Sequence, residues 1–143
     1  LAYTAYKEAE TAVRHCATGE TERVDYDAMP RLVFSMPQVG GVGVSEKQAR
    51  EMGMNCRVYK YFFKALGKAV MEGHDAGFVK LISDENLGTV VGASAVGDNI
   101  ADIINQLALI VKNAIPISAI RECMFVHPSY SEIILEALQY GKQ

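Results

Sequence analysis

A histidine and a glutamate stand five positions apart near the end of the chain, in the run Val126-His127-Pro128-Ser129-Tyr130-Ser131-Glu132. Proline disfavours helical geometry at the residue before it, so we expect His127 at the end of an extended segment, with a helix beginning near Ser129. A carboxylate that accepts from one imidazole nitrogen fixes the tautomer and leaves the other nitrogen free to accept a proton. Glu132 is close enough in sequence to do this for His127.

The same spacing also fits a purely structural role. Ser129-Tyr130-Ser131-Glu132 has the pattern of a capping box, in which Glu132 accepts from the backbone N–H of Ser129. His127 would then be an ordinary hydrogen-bonded histidine. The spacing alone leaves both interpretations open.

The other chemically reactive side chains show no such pattern. Cys16, Cys56 and Cys123 are odd in number and far apart, without a C-x-x-C pair or metal-ligand spacing. They are typical of three reduced thiols in a cytosolic protein, and no metal site is expected. His15 and His74 are predicted to be surface histidines.

Composition limits the kind of protein. A chain of 143 residues with a net charge of −3 suits one globular domain. The charge excludes a basic nucleic-acid surface, and no apolar run approaches the roughly 20 residues of a membrane span. The chain begins at Leu1 without a basic and apolar leader, so no targeting peptide is expected.

Helical periodicity over residues 1–18 ends at Gly19, and a polar connector covers residues 20–30. We therefore expect residues 1–19 to belong to a different unit from the domain at 31–143. Within that domain, strands followed by helices predict an α+β fold, an antiparallel sheet with helices packed on one face. The expected strands are 31–35, 56–63, 76–83 and 89–96. The main helices are expected to begin near Ser45, Asp98 and Ser129. Residues 122–126 are predicted to be extended, and the Gly- and Pro-rich segment 36–45 to be irregular. The last two main helices are apolar over more than one stripe. The surplus is either deep core or a face toward another subunit, and the small size of the chain favours the subunit.

The run HPSYSEIILEAL resembles the C-terminal signature of the pyridine nucleotide-disulfide oxidoreductases, commonly His-Pro-Thr-x-x-Glu. Three upstream segments resemble the same family in the same order: Leu1-Ala2-Tyr3 with its helix, Pro30–Ser45, and Glu72–Leu81 leading on to Gly92-Ala93 and Val96-Gly97. The pattern is most similar to the dimerisation (interface) domain of the dihydrolipoamide dehydrogenase type. Ser129 replaces the usual Thr, and Tyr130 replaces a Leu at a position expected to face the active-site entrance.

The resemblance implies a homodimer whose parent protein uses FAD and NAD on a lipoamide-like disulfide or dithiol. It implies that His127 is the acid/base for the partner subunit's redox disulfide, that Glu132 orients it, and that the His127 backbone lies near the partner's flavin. Leu1 and Ala2 match the start of a helix whose N–H groups approach the flavin, which assigns residues 1–19 to the FAD-binding domain.

Several parts of such an enzyme have no counterpart in the sequence. It contains no G-x-G-x-x-G after a strand and no C-x-x-x-x-C pair, and Gly40-Gly41-Val42-Gly43 is interpreted as a turn. We therefore expect the chain alone to bind neither FAD nor NAD and to be inactive. The alternative is a free-standing homodimerisation module without catalysis.

Overall fold

The computed structural model describes residues 1–142. Five strands form one antiparallel sheet in the order β1-β2-β5-β4-β3. The elements are α1 (Ala2–Thr18), β1 (Arg31–Val33), β2 (Gln38–Gly43), α2 (Glu46–Glu51), β3 (Cys56–Phe62), a 3-10 turn (Phe63–Ala65), α3 (Gly67–Glu72), β4 (Phe78–Asp84), β5 (Thr89–Gly97), α4 (Ile100–Lys112), α5 (Ile117–Glu122) and α6 (Glu132–Tyr140).

The core lies between the sheet and two helices. α4 packs on β2 and β5, and α6 packs on β3 and β4. Alternate residues of the central strands point into this layer, where Val79, Leu81 and Ala95 are fully buried. The short helix α2 lies by the opposite face, where Lys80 pairs with Glu46 at 3.0 Å. The predicted α+β fold, with the main helices on one face of an antiparallel sheet, is confirmed.

The helix α1 lies mostly in solvent. None of its residues is buried, and it ends at Gly19. It meets the rest of the chain partly through the connector at 20–30, where Tyr26 donates to Glu8 at 2.7 Å. The connector also reaches α4, because Lys112 pairs with Asp25 at 2.7 Å. No helix within residues 1–142 has the length and apolar character needed to cross a bilayer.

The segment 36–45 is not irregular as predicted, because it contains strand β2. Its glycines led to the prediction of an irregular segment. In the structure, the glycine at position 40 instead lets the strand lie close under α4. A Cβ at Gly40 would lie 2.8 Å from the Ile100 side chain, so only glycine lets α4 cross this closely over the sheet. Gly40-Gly41-Val42-Gly43 is therefore part of a strand, and the prediction of a turn there is wrong.

Further predictions fail at the boundaries and connections of helices. Helix α4 begins near Asp98 as predicted, with Asn99 at its N-cap, but α6 begins at Glu132 rather than near Ser129. No strand precedes His127: after α5 ends, residues 123–131 form an irregular connector. The short helix α3 was not predicted, since its few apolar residues do not establish a helical period.

The expected surplus of apolar helix residues lies mainly in the core. In α6, Ile133, Ile134 and Leu138 are at most 1 % exposed. In α4 the exposed exception is Leu109, at 63 %. A five-stranded sheet leaves room for helices to be buried on more than one side, so the prediction that this surplus faces a second subunit is wrong for α6.

Candidate functional site

The pair predicted from sequence forms in the structure. His127 Nδ1 lies 2.8 Å from Glu132 Oε1. The connector carries the histidine and the first turn of α6 carries the glutamate, so the five-residue spacing folds one side chain back on the other. The imidazole side chain is 77 % exposed and the glutamate only 17 %. The carboxylate is thus held within the chain, while the free Nε2 edge of the ring is available from outside. We refer to residues 127–132 as the corner.

The capping interaction is also present. Glu132 Oε2 accepts from the backbone N–H of Ser129 at 2.7 Å. Because the two carboxylate oxygens accept from different donors, Glu132 can contact the His127 ring and cap the helix at the same time. The capping box is only half formed, since Ser129 Oγ is buried without a hydrogen-bond partner among residues 1–142.

These two contacts determine the charge of Glu132. Burial favours its neutral form, but the Ser129 N–H and the His127 ring outweigh burial and hold the pKa of the Glu132 carboxyl below its ordinary value of 4.5. Glu132 is therefore a carboxylate at neutral pH. A carboxylate beside Nδ1 places the proton of the neutral ring on that nitrogen, so Nε2 carries the free lone pair.

Two neighbouring residues hold the corner on the protein. Gln106 of α4 donates its side-chain amide to Ser131 Oγ at 2.7 Å. The Tyr130 ring packs against Phe63, with centroids 6.1 Å apart. Tyr130 is partly buried and its phenol oxygen is enclosed by the chain, and its position at an active-site entrance stays a prediction.

Exposed apolar side chains surround the histidine on the connector. Met124 is 100 % exposed and Val126 is 78 % exposed. Cys123, four residues before His127, is an exposed free thiol, and Cys16 and Cys56 are also unpaired. Within residues 1–142 no metal-binding cluster occurs. The corner can therefore exchange a proton, but no redox pair accompanies it in this chain.

The two other predicted site residues, Leu1 and Ala2, lie at the start of α1 and are exposed. The N-cap residue Leu1 forms no side-chain cap, and the first N–H groups of a helix have no acceptor within the helix itself. They make no hydrogen bond to the corner. The structure therefore brings His127 and Glu132 together and leaves Leu1 and Ala2 separate from them.

Sequence reasoning missed a second histidine–carboxylate pair. His74 Nδ1 lies 2.7 Å from Asp98 Oδ2, with the side chains 54 % and 39 % exposed. The two residues are 24 positions apart on different elements, so no local pattern could have indicated the contact. His74 is exposed, as predicted, but it is not isolated. Gln106 was missed for the same reason, since it lies 25 positions before Ser131.

The chain is similar to several characterised proteins. It is 35 % identical over 141 residues to a dihydrolipoyl dehydrogenase of Halobacterium salinarum, covering 99 % of this chain and 30 % of that protein. A dihydrolipoyl dehydrogenase of Bacillus subtilis is 34 % identical over 139 residues, covering 97 % of this chain and 29 % of that protein. The chain thus spans about 30 % of the length of the curated relatives it matches.

Solved structures show the same architecture. The HOCl-induced flavoprotein disulfide reductase RclA of Escherichia coli superimposes with a TM-score of 0.80 at 30 % identity, over 90 % of this chain and 30 % of that one. LpdA of Mycobacterium tuberculosis gives a TM-score of 0.82 over 90 % of this chain and 28 % of that one; at 24 % identity it supports the fold alone. The family model of the pyridine nucleotide-disulphide oxidoreductase dimerisation domain matches residues 29–138. The chain belongs to this dimerisation-domain family.

Proposed function

We propose that this chain joins two copies of a flavoprotein disulfide reductase of the dihydrolipoyl dehydrogenase type, and that each copy supplies His127 and Glu132 to the other. The names and lengths of the relatives support this. The chain matches about 30 % of the length of each relative, and the redox and nucleotide domains would lie in the remaining part. The observation that carries the proposal is the 2.8 Å His127–Glu132 contact on a ring that is 77 % exposed.

The chemistry follows from the position of the free nitrogen. Glu132 holds the proton on Nδ1, and Nε2 accepts the proton of an approaching substrate thiol. The resulting thiolate attacks one sulfur of a redox disulfide on the partner, so that one S–S bond forms as the other breaks and the leaving sulfur departs as a thiolate. The proton stays on the imidazole, which Glu132 stabilises as a cation, and is returned in the reverse exchange.

The surroundings of His127 support a role across an interface. An exposed imidazole in water is a weak catalyst, because a base works best when it is positioned in a site that excludes solvent. Met124 and Val126 place apolar surface beside the ring, and both are more than three-quarters exposed. A second copy that covers this surface would complete the site.

FAD and NAD would be bound by the remainder of the parent protein. The flavin, when bound, would pass electrons between the disulfide and the nicotinamide. Leu1 and Ala2, at the uncapped start of α1, would offer backbone N–H groups to the flavin, and the His127 backbone would lie near the flavin of the partner.

We assign residues 1–19 to the FAD-binding domain, 20–30 to a connector and 31–143 to the dimerisation domain. The absence of buried residues in α1 and the start of the family match at residue 29 support this division. Without the remaining domains the chain would be inactive.

Replacement of His127 by Gln tests the proposal in the protein that joins this chain to its redox domains. We expect turnover to fall by about 10²–10⁴-fold, because the proton acceptor is lost, with flavin content unchanged. His15→Gln is the matched control, since His15 lies at the far end of α1, where its ring forms a hydrogen bond with the Glu20 carbonyl. Near-normal turnover of the His127 variant would remove the residue from the mechanism and favour a domain that only joins the two copies.

A further inference from the structure

We propose that Tyr130 is a positioning residue that holds the His127–Glu132 pair in register by packing its ring on Phe63. The proposal rests on the function proposed for that pair. Tyr130 lies between the two residues in sequence, on the turn that folds one back on the other.

The surface under Tyr130 is rigid. Phe63 is fully buried, and its ring lies 6.1 Å from the Tyr130 ring at an interplanar angle of 60°. The backbone at Gly97 also lies close to Phe63, because an added Cβ there would approach the ring to 2.7 Å. Since Phe63 is fully buried in a close-packed core, the Tyr130 ring rests on a fixed support.

The turn is attached to the protein on the C-terminal side of the tyrosine. Ile133 donates its backbone N–H to the Tyr130 carbonyl at 3.2 Å, which joins the turn to α6. The neighbouring residue, Ser131, is held by Gln106. These bonds fix the backbone after Tyr130, whereas the residues before it, 127–129, depend on its ring and on the Glu132 carboxylate for their position.

The ring rather than the hydroxyl performs this role. The phenol oxygen is buried near Glu72 and Asn99, but neither residue meets the distance and angles of a hydrogen bond to it. Burial, followed by the nearby Glu72 carboxylate, raises the pKa of the Tyr130 phenol, so the group stays neutral at working pH. A hydroxyl without a firm hydrogen bond contributes little to position, and its removal should be nearly neutral.

Loss of the ring should be visible at His127 itself. With Tyr130 truncated, residues 127–129 can move and the Nδ1–Glu132 hydrogen bond loosens. The neutral imidazole is then no longer held with its proton on Nδ1, and the tautomer with the proton on Nε2 becomes populated. A residue that merely fills space in the core would not change this equilibrium.

The test is a ¹⁵N NMR measurement of the His127 ring nitrogens in this chain, at about pH 8.5, well above the ordinary imidazole pKa of about 6.5. The chain has three histidines, so His15→Gln and His74→Gln assign the signals. We expect the Nδ1–H tautomer to dominate in the wild type and in Tyr130→Phe, and to be lost in Tyr130→Ala. Tyr130→Leu, which keeps an apolar contact, should be intermediate and serves if the alanine variant does not fold.

Tyr61→Ala is the matched packing control. Tyr61 is also a partly buried aromatic residue packed on the core, but it lies on β3 rather than at the corner. An unchanged tautomer in folded Tyr130→Ala or Tyr130→Leu overturns the proposal, as does an equal change in Tyr61→Ala. In the full-length protein we expect Tyr130→Ala to lower kcat by about 10- to 100-fold with KM little changed, because the base is misplaced.

The two proposals fail in different ways. Normal turnover of His127→Gln would contradict the proposed function and leave the tautomer result standing. A tautomer that ignores Tyr130 would contradict this inference alone.

Discussion

The Glu132 carboxylate serves two donors, and this explains how one residue can be both a helix cap and an orienting group. Its oxygens accept separately from His127 Nδ1 and from the Ser129 N–H. The His-x-x-x-x-Glu and Ser-x-x-Glu spacings therefore predicted the contacts correctly but could not rank them. The His74–Asp98 contact could not be predicted, because it depends on how a loop after α3 approaches the end of β5.

Glu132→Gln separates the charge of this residue from its shape. The amide oxygen can still accept one hydrogen bond, so we expect a loss of only about 1 kcal/mol in the free energy of unfolding at neutral pH. Because folding lowers the pKa of the Glu132 carboxyl, the contribution of its charge is complete above the ordinary value of 4.5 and disappears as the pH falls through the lower folded value.

Urea unfolding of both proteins between about pH 7 and pH 3 measures this difference. The wild type and the variant should converge in acid. A gap that persists or widens at low pH would show that the carboxylate charge does not stabilise the corner.

At the scale of elements, the sequence patterns failed where two elements approach each other closely. Strand β2 was hidden by its three glycines, of which Gly40 lies directly under α4. Strands β3, β4 and β5 were predictable, since they are rich in the aromatic and β-branched residues that strands favour. Glycines that leave room for a helix give a strand no apolar alternation, so β2 could not be recognised from its sequence alone. Its glycines are explained only by the position of α4 in the fold.

Gly97 offers a test of close packing under the corner. Its φ of 152° is unfavourable for other residues, and a Cβ there would collide with the Phe63 ring that supports Tyr130. We expect Gly97→Ala to lower the free energy of unfolding by roughly 2–3 kcal/mol.

Gly67→Ala is the control for the Gly97 experiment, because a Cβ at the start of α3 would meet nothing within 4 Å. It should leave stability unchanged or raise it by up to about 1 kcal/mol. Equal effects of the two substitutions in urea unfolding would contradict the packing described around Phe63.

At the scale of the whole molecule, the apolar surface left for a partner is not where composition placed it. Most apolar residues of α6 are interior, whereas exposed apolar side chains lie at and after the end of β1 and before His127: Val33, Phe34, Met36, Met124 and Val126. The spacing of apolar residues along a helix distinguishes a buried stripe from a polar one. It does not distinguish a second face buried within the same chain from a face that contacts another subunit. The overall fold class was predictable because the order of strands and helices determines it.

Mixed dimers test the central claim, that His127 of one copy serves the redox disulfide of the other. One full-length chain would carry His127→Gln, its partner would lack the redox cysteines, and the two would be co-expressed with different tags and purified together. If the site is shared, one of the two sites in each mixed dimer has both its base and its disulfide. Turnover per mixed dimer should then recover to about half that of the wild type, although each parent homodimer is nearly inactive. Mixed dimers as inactive as both parents would place the histidine and the disulfide in the same subunit and contradict the account.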